Sequence, residues 1–183
     1  SGSTGVPKGV AITHGSAATL IHWASASFER AALSGVLFST SICFDLSIFE
    51  LFVTLSNGGQ VIVAENALQL PALAAASQVT LINTVPSAMA ELVRMGAVPA
   101  SVRVVNLAGE ALRAELVAEI YAQTEVQAVY NLYGPSEDTT YSTYTLVRAG
   151  ERVSIGRPIA NTRAYVLDEQ RQIVPVGDRR CRP

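Results

Sequence analysis

The 183-residue chain is 49% hydrophobic and only 15% charged, which suits one buried core, in one domain or part of a larger one, and argues against disorder. A formal net charge of −2 points to neither nucleic acid nor an anionic membrane as partner, so any bound phosphate must be held by local geometry. Cys43 and Cys181 lack metal-ligand spacing and read as buried thiols of a cytoplasmic chain, and neither a charged-then-apolar leader nor a run of membrane-span length is seen.

In chain order, short β-rich runs alternate with stretches of helical period. The predicted pairs are Val10–Thr13 and Ser16–Phe28, Val36–Thr40 and Leu46–Leu55, Gln60–Ala64 and Leu68–Ser77, Val79–Asn83 and Ser87–Met95, Val102–Leu107 and Leu112–Gln123. Val126–Asn131 adds a strand, Thr139–Val147 an extended region and Arg163–Leu167 a last strand. Such alternation predicts crossover units, hence an α/β fold with a mainly parallel sheet and flanking helices. His14 and His22 read as cap or packing residues of the first helix, and Trp23 as core.

The opening stretch, Ser1-Gly2-Ser3-Thr4-Gly5-Val6-Pro7-Lys8-Gly9, combines glycines that let backbone N–H groups approach an anion with hydroxyls and one positive charge. It is not a Walker A loop, because Gly9 stands where a Ser or Thr would follow the lysine. Nor is it a dinucleotide fingerprint, which would open a helix rather than run into Val10-Ala11-Ile12-Thr13. On composition alone it is equally a Ser/Gly/Thr turn.

Further along, Asp45 sits among apolar residues in Ile42-Cys43-Phe44-Asp45-Leu46-Ser47-Ile48-Phe49-Glu50. On its residues alone it could cap a helix through the N–H of Ser47 or Ile48. Asn83, Asn106 and Ala108 fall at strand ends, where open parallel sheets hold ligands, although each asparagine is also an ordinary turn residue. Asn131-Leu132-Tyr133-Gly134-Pro135-Ser136-Glu137-Asp138-Thr139-Thr140 supplies an amide, a flat ring, a hydroxyl and carboxylates within ten positions.

The opening string resembles the phosphate-binding signature of the AMP-forming adenylating superfamily, which includes acyl-CoA synthetases, luciferases and the adenylation domains of nonribosomal peptide synthetases. Phe44-Asp45-Leu46-Ser47 resembles the Phe-Asp-x-Ser element of its amino-acid-activating members. Asn131 to Glu137 is similar to its Asn-x-Tyr-Gly-Pro-Thr-Glu motif, with Ser136 for the usual threonine, and Gly156 to Thr162 to its Gly-Arg-Pro-x-x-Asn element. The resemblance implies a partial nonribosomal peptide synthetase adenylation domain over residues 1–183, from the large N-terminal subdomain. Such a domain forms an aminoacyl-AMP from amino acid and ATP and passes it to a phosphopantetheine thiol.

It further implies that Ser1, Ser3, Thr4, Gly5, Lys8, Gly109, Glu110, Ala111, Asn131, Tyr133 and Gly134 hold the nucleotide, that Ser136 serves the α-phosphate, and that Glu137, rather than Asp138, serves Mg²⁺. Asp45, Leu46, Phe49, Asn83, Asn106, Ala108, Leu132, Thr140 and Tyr141 would line the substrate pocket, with Asp45 on the ammonium. Apart from Asp45 the set is uncharged, and Phe49, Leu132 and Tyr141 restrict its volume, so a small neutral amino acid is expected, alanine first and serine or glycine behind. The expected partners are the amino acid and the carrier and condensation domains of a parent synthetase.

Asp45 discriminates against a carboxylic-acid:CoA ligase, which has no ammonium to bind. A nucleotide-binding but inactive fragment is the other alternative. A chain that opens inside a phosphate loop, without the expected hinge and C-terminal lysine, is read as a fragment with little activity of its own. After Val174-Pro175-Val176-Gly177 the expected Gly-x-x-Gly-Glu-Leu strand is replaced by Asp178-Arg179-Arg180-Cys181-Arg182-Pro183. Codons for Arg-Cys-Arg-Pro read one base later can spell Gly-Val-Ala-Gly, so residues 178–183 are expected to be a non-native or frameshifted tail, from a frameshift or a sequencing slip.

Overall fold

A computed structural model of the chain describes residues 9–174. The phosphate-loop candidates Ser1, Ser3, Thr4, Gly5 and Lys8, and the 178–183 tail, lie outside the described residues.

The elements are α1 (His14–Ser27), β1 (Gly35–Phe38), α2 (Leu46–Ile48) running through a π-helical turn (Phe49–Val53) into α3 (Thr54–Ser56), β2 (Gln60–Val63), β3 (Leu81–Thr84), α4 (Pro86–Arg94), β4 (Val104–Leu107), α5 (Ala114–Gln123), β5 (Ala128–Tyr133), β6 (Thr143–Val147) and β7 (Arg157–Pro158). Strands β2-β1-β3-β4-β5 are parallel neighbours, and β6 and β7 extend the sheet antiparallel. The expected α/β architecture with a mainly parallel sheet is thus the observed one.

Successive strand residues point to opposite faces, and the core divides accordingly. Leu37, Ile82 and Val105 pack with Met89 and Leu92 of α4 and Leu116 and Ile120 of α5. Val36, Leu81 and Val104 pack on the other face with Leu20 and Trp23 of α1, Phe28 and Phe49. Trp23 stands edge-on to Phe28 and Tyr144 at 5.8 and 5.0 Å between ring centroids, so the core assignment of Trp23 is met. Among the described residues no helix is long and apolar enough to cross a membrane.

Several expected elements differ. Val10–Thr13 is exposed and forms no strand; a short apolar run becomes one only beside a partner, and Thr13 instead accepts the Ser16 N–H as N-cap of α1. The helix expected over Leu68–Ser77 is replaced by 3₁₀ turns at Ala67–Ala72 and Ala76–Gln78, with Pro71 inside the first. Arg163–Leu167 joins the sheet nowhere. Among the described residues Leu167 bridges only to Ile173, because Asp168 Oδ1 accepts the N–H groups of Gln170 and Gln172 and folds the segment back on itself. Cys43, expected to be buried, is exposed.

Candidate functional site

β3, β4 and β5 end at Thr84, Leu107 and Tyr133 on the carboxyl edge of the sheet, where parallel topology holds ligands. Two cavities there share Gly109 and Gly134. The larger, about 500 Å³, is lined by all six nucleotide candidates among the described residues: Gly109, Glu110, Ala111, Asn131, Tyr133 and Gly134. Tyr133 is 54% exposed, leaving a ring surface for a flat ligand to stack on. Asn131 Nδ2 donates to the Ser154 carbonyl at 2.8 Å, which ties the far wall to the end of β5. Glu110 turns its carboxylate away from this task. It accepts the Ser87 N–H at 2.9 Å and the Ser87 hydroxyl at 2.8 Å, and so caps the start of α4, leaving its backbone at the cavity wall.

The smaller cavity, about 280 Å³, is lined by Asp45, Leu46, Ala108, Ser136, Glu137 and Thr140, with Val10, Phe44 and Pro135 completing the wall. Of the two readings of Asp45, capping is not the one observed. Its side chain caps nothing and instead accepts the Ser136 hydroxyl on Oδ2 at 2.5 Å, while the Thr140 hydroxyl donates to its carbonyl at 3.0 Å. The half-buried carboxylate is thereby aimed across the cavity at the loop after β5. Of the adjacent acids there, Asp138 accepts the Ser142 hydroxyl, whereas exposed Glu137 accepts no hydrogen bond among the described residues and lines the cavity.

That loop is wound tightly. A Cβ on Gly134 would lie 2.6 Å from the Ser142 nitrogen and 2.8 Å from the Thr140 carbonyl oxygen, so only glycine fits. Thr139 and Thr140 have φ of 60° and 73°, a conformation costing a β-branched residue of order 1–3 kcal/mol. The Thr140 bond to Asp45 and the backbone bonds Thr139 N–H to Ser136 and Tyr141 N–H to Thr139 hold it there.

The remaining substrate candidates do not line the smaller cavity. Leu132 borders the larger one. Phe49, Asn83, Asn106 and Tyr141 are each 0% exposed and line neither, because they form a packed layer beside them. The Tyr141 hydroxyl donates to Asn83 Oδ1 at 2.7 Å, and its ring meets Phe49 edge-on at 5.8 Å. Asn106, paired in register with Asn83, has no partner for either amide atom among the described residues.

Sequence reasoning missed Glu50 and Thr40. Glu50 is 0% exposed, carried inward by the wide π turn, and its Oε2 accepts the Thr40 hydroxyl at 2.7 Å. Burial pushes its carboxyl up to about 7 against the pull of the Thr40 hydroxyl and N–H on Oε2. A non-periodic acid inside an apolar run, Ile48-Phe49-Glu50-Leu51-Phe52-Val53, was the available signal. His14 and His22 are exposed on α1 and border neither cavity.

The family model described as AMP-binding enzyme matches residues 1–179. A linear gramicidin synthase of Brevibacillus parabrevis is 64% identical over 97% of this chain, which spans 4% of that relative. AMB antimetabolite synthetase AmbB of Pseudomonas aeruginosa is 48% identical over 97% of the chain, which spans 14% of it. Among solved structures, the adenylation domain AlmE of Vibrio cholerae, in complex with glycyl-adenosine-5'-phosphate, superposes with a TM-score of 0.82 at 27% identity, covering 94% of this chain and 34% of that one. A four-domain nonribosomal peptide synthetase bound to AMP and glycine gives 0.80 at 29% identity, covering 92% of this chain and 13% of the other. With nearly the whole chain matched by the family model and the two cavities at the carboxyl edge of its sheet, the chain belongs to the AMP-binding enzyme family, as part of an adenylation domain of the nonribosomal peptide synthetase type.

Proposed function

We propose that the intact domain containing this chain joins an amino acid to ATP, forming an aminoacyl-adenylate and pyrophosphate, and passes the aminoacyl group to the phosphopantetheine thiol of a carrier domain. The observation that carries this reading is Asp45. A half-buried carboxylate lines a cavity of about 280 Å³ that is otherwise largely apolar or hydroxyl-bearing and shares Gly109 and Gly134 with the larger cleft. An ammonium entering such a space needs an opposed charge, and Asp45 offers one. The substrate carboxylate then lies toward Ser136 and the glycine junction, from which it attacks the α-phosphorus as pyrophosphate leaves. In such a displacement the protein's contribution is position and charge stabilisation.

The larger cleft is assigned to the nucleotide, with Gly109, Glu110, Ala111, Asn131, Tyr133 and Gly134 around the base and Ser136 at the α-phosphate. Ser1, Ser3, Thr4, Gly5 and Lys8 are assigned to the outer phosphates from their sequence. Mg²⁺ fits the acids present, because Glu137 reaches the cavity without an internal partner among the described residues while Asp138 is engaged by Ser142; a bound Mg²⁺ would neutralise charge building on the phosphate oxygens. A small neutral amino acid is favoured, alanine first, since among the described residues Asp45 and Glu137 are the only charged side chains on the smaller cavity and both are assigned. Condensation and carrier domains of the parent synthetase are the partners.

Amino-acid-dependent ATP–pyrophosphate exchange by the intact domain tests this reading. Exchange is expected with alanine, serine or glycine and not with fatty acids. Exchange with carboxylic acids that lack an amine would assign the CoA-ligase chemistry, and nucleotide binding without exchange would leave a binding domain. The isolated 183-residue chain is expected to release pyrophosphate poorly.

A further inference from the structure

Behind the smaller cavity runs a line of buried polar groups that do not themselves line it. Glu50 Oε1 and Asn83 Nδ2 are both buried and lack a hydrogen-bond partner among the described residues, yet they belong to side chains close enough for Asn83 to draw on the Glu50 carboxyl. One is an acceptor and the other a donor. The orientation of the Asn83 amide is fixed from its other end, because the Tyr141 hydroxyl donates to Oδ1 at 2.7 Å and so turns Nδ2 away from Tyr141. Glu50 itself is anchored by the Thr40 hydroxyl on Oε2 at 2.7 Å. Its chain position is set by the π turn, within which the Glu50 carbonyl accepts the Thr54 hydroxyl at 2.6 Å. Single π turns inside α-helices recur at functional sites.

At the other end, Tyr141 follows Thr140, the left-handed residue that lines the cavity and donates to the Asp45 carbonyl. Its ring is held edge-on between Phe49 and Trp23 at 5.8 and 6.3 Å. We propose that Glu50 is a positioning residue for substrate selection: its carboxyl, held by Thr40, takes the Asn83 amide N–H and thereby locks Tyr141, Thr140 and the Asp45 backbone, fixing the size and floor of the amino-acid cavity. The inference rests on the amino-acid-activating reading above. Leaving either buried group unpaired costs more than forming the bond gains, so the two settle together and the floor has one arrangement. Removing Glu50 frees the Asn83 amide to rotate, loosens Tyr141 and lets the cavity admit larger neutral side chains.

The experiment uses the intact domain and reads ATP–pyrophosphate exchange for alanine, valine and leucine with wild type, Glu50→Leu, Glu50→Gln and Tyr141→Phe. Glu50→Leu is expected to raise the KM of the preferred amino acid about tenfold, and to narrow its lead over larger ones by a similar factor, with kcat and the KM for ATP held within about twofold. Glu50→Gln keeps an acceptor for the Asn83 amide and restores discrimination. Tyr141→Phe, which removes the donor that orients that amide, reproduces the Glu50→Leu pattern and decides the matter if Glu50→Leu does not fold. Unchanged discrimination in Glu50→Leu or Tyr141→Phe, equal changes in both KM values, or no recovery with Glu50→Gln overturns the inference. A wild type that exchanges with no amino acid overturns the proposed function instead, so the two failures are told apart by the wild-type measurement.

Discussion

Glu50 makes a stability prediction that does not depend on catalysis. Its carboxyl is enclosed by Thr40 and Ser39 after β1 and by Asn83 on β3, with the Tyr141 hydroxyl on the far side of Asn83 and Asp45 the other acid acting on that hydroxyl. Burial raises its ionisation from the ordinary 4.5 to about 7. Between those two values the unfolded chain has released the proton and the folded chain has kept it. The folded state therefore binds more protons, and raising the pH through the window destabilises it. Below pH 4.5 the group contributes no slope, and above 7 the full penalty stands. At about 1.4 kcal/mol for each tenfold change in proton affinity, the loss is about 3 kcal/mol. Urea unfolding of the intact domain from about pH 4.5 to 8, wild type against Glu50→Gln, isolates it. Other titrations, such as Glu91, held below its usual range by Arg94, cancel in the difference. Wild type is expected to lose about 3 kcal/mol relative to Glu50→Gln across the range. Parallel curves would refute the burial argument.

Asp45→Asn keeps an acceptor for the Ser136 hydroxyl but removes the charge, so the amino-acid KM is expected to rise about 100-fold or more, with ATP affinity within a few-fold; equal losses for both ligands in exchange kinetics would contradict the ammonium assignment. Gly134→Ala drives a Cβ into the backbone of Ser142 and Thr140 and is expected to destabilise the domain by about 1–3 kcal/mol in denaturant melts and to impair binding in both cavities. Tyr133→Ala removes the exposed ring and is expected to weaken ATP by about 1–3 kcal/mol in calorimetry without touching the amino-acid KM. Glu110→Ala uncaps α4 at about 1 kcal/mol in thermal melts and leaves nucleotide affinity close to wild type.

The parallel sheet was legible because burial on both faces writes apolar-rich runs such as Val102–Leu107, and most such runs were followed by a helical stretch. The site motifs were legible for a different reason: they concentrate polar residues at the ends of those runs, as Asn131 to Glu137 does. What failed to read from sequence depended on partners or on local winding. Val10–Thr13 has strand composition but no neighbour among the described residues. Arg157–Pro158 carries a proline and still pairs with Thr143 and Tyr144 at the sheet's edge, where no further ladder bond is needed. Glu50 did not read as a buried acid, because nothing in the sequence marks the π turn that carries it inward beside Phe49.

The division of the site into two cavities follows from backbone rather than side chains. Gly109, at φ 82°, lies just beyond β4 and Gly134 just beyond β5, and both line the two cavities. A residue with a Cβ at Gly134 would collide with the returning 140–142 backbone, so the two segments pack backbone to backbone there. The left-handed pair Thr139 and Thr140 is the cost of returning the chain so closely. That strain is tolerable because the same turn hands the Thr140 hydroxyl to Asp45 and the Tyr141 hydroxyl to Asn83, tying the loop after β5 to both the loop after β1 and the end of β3.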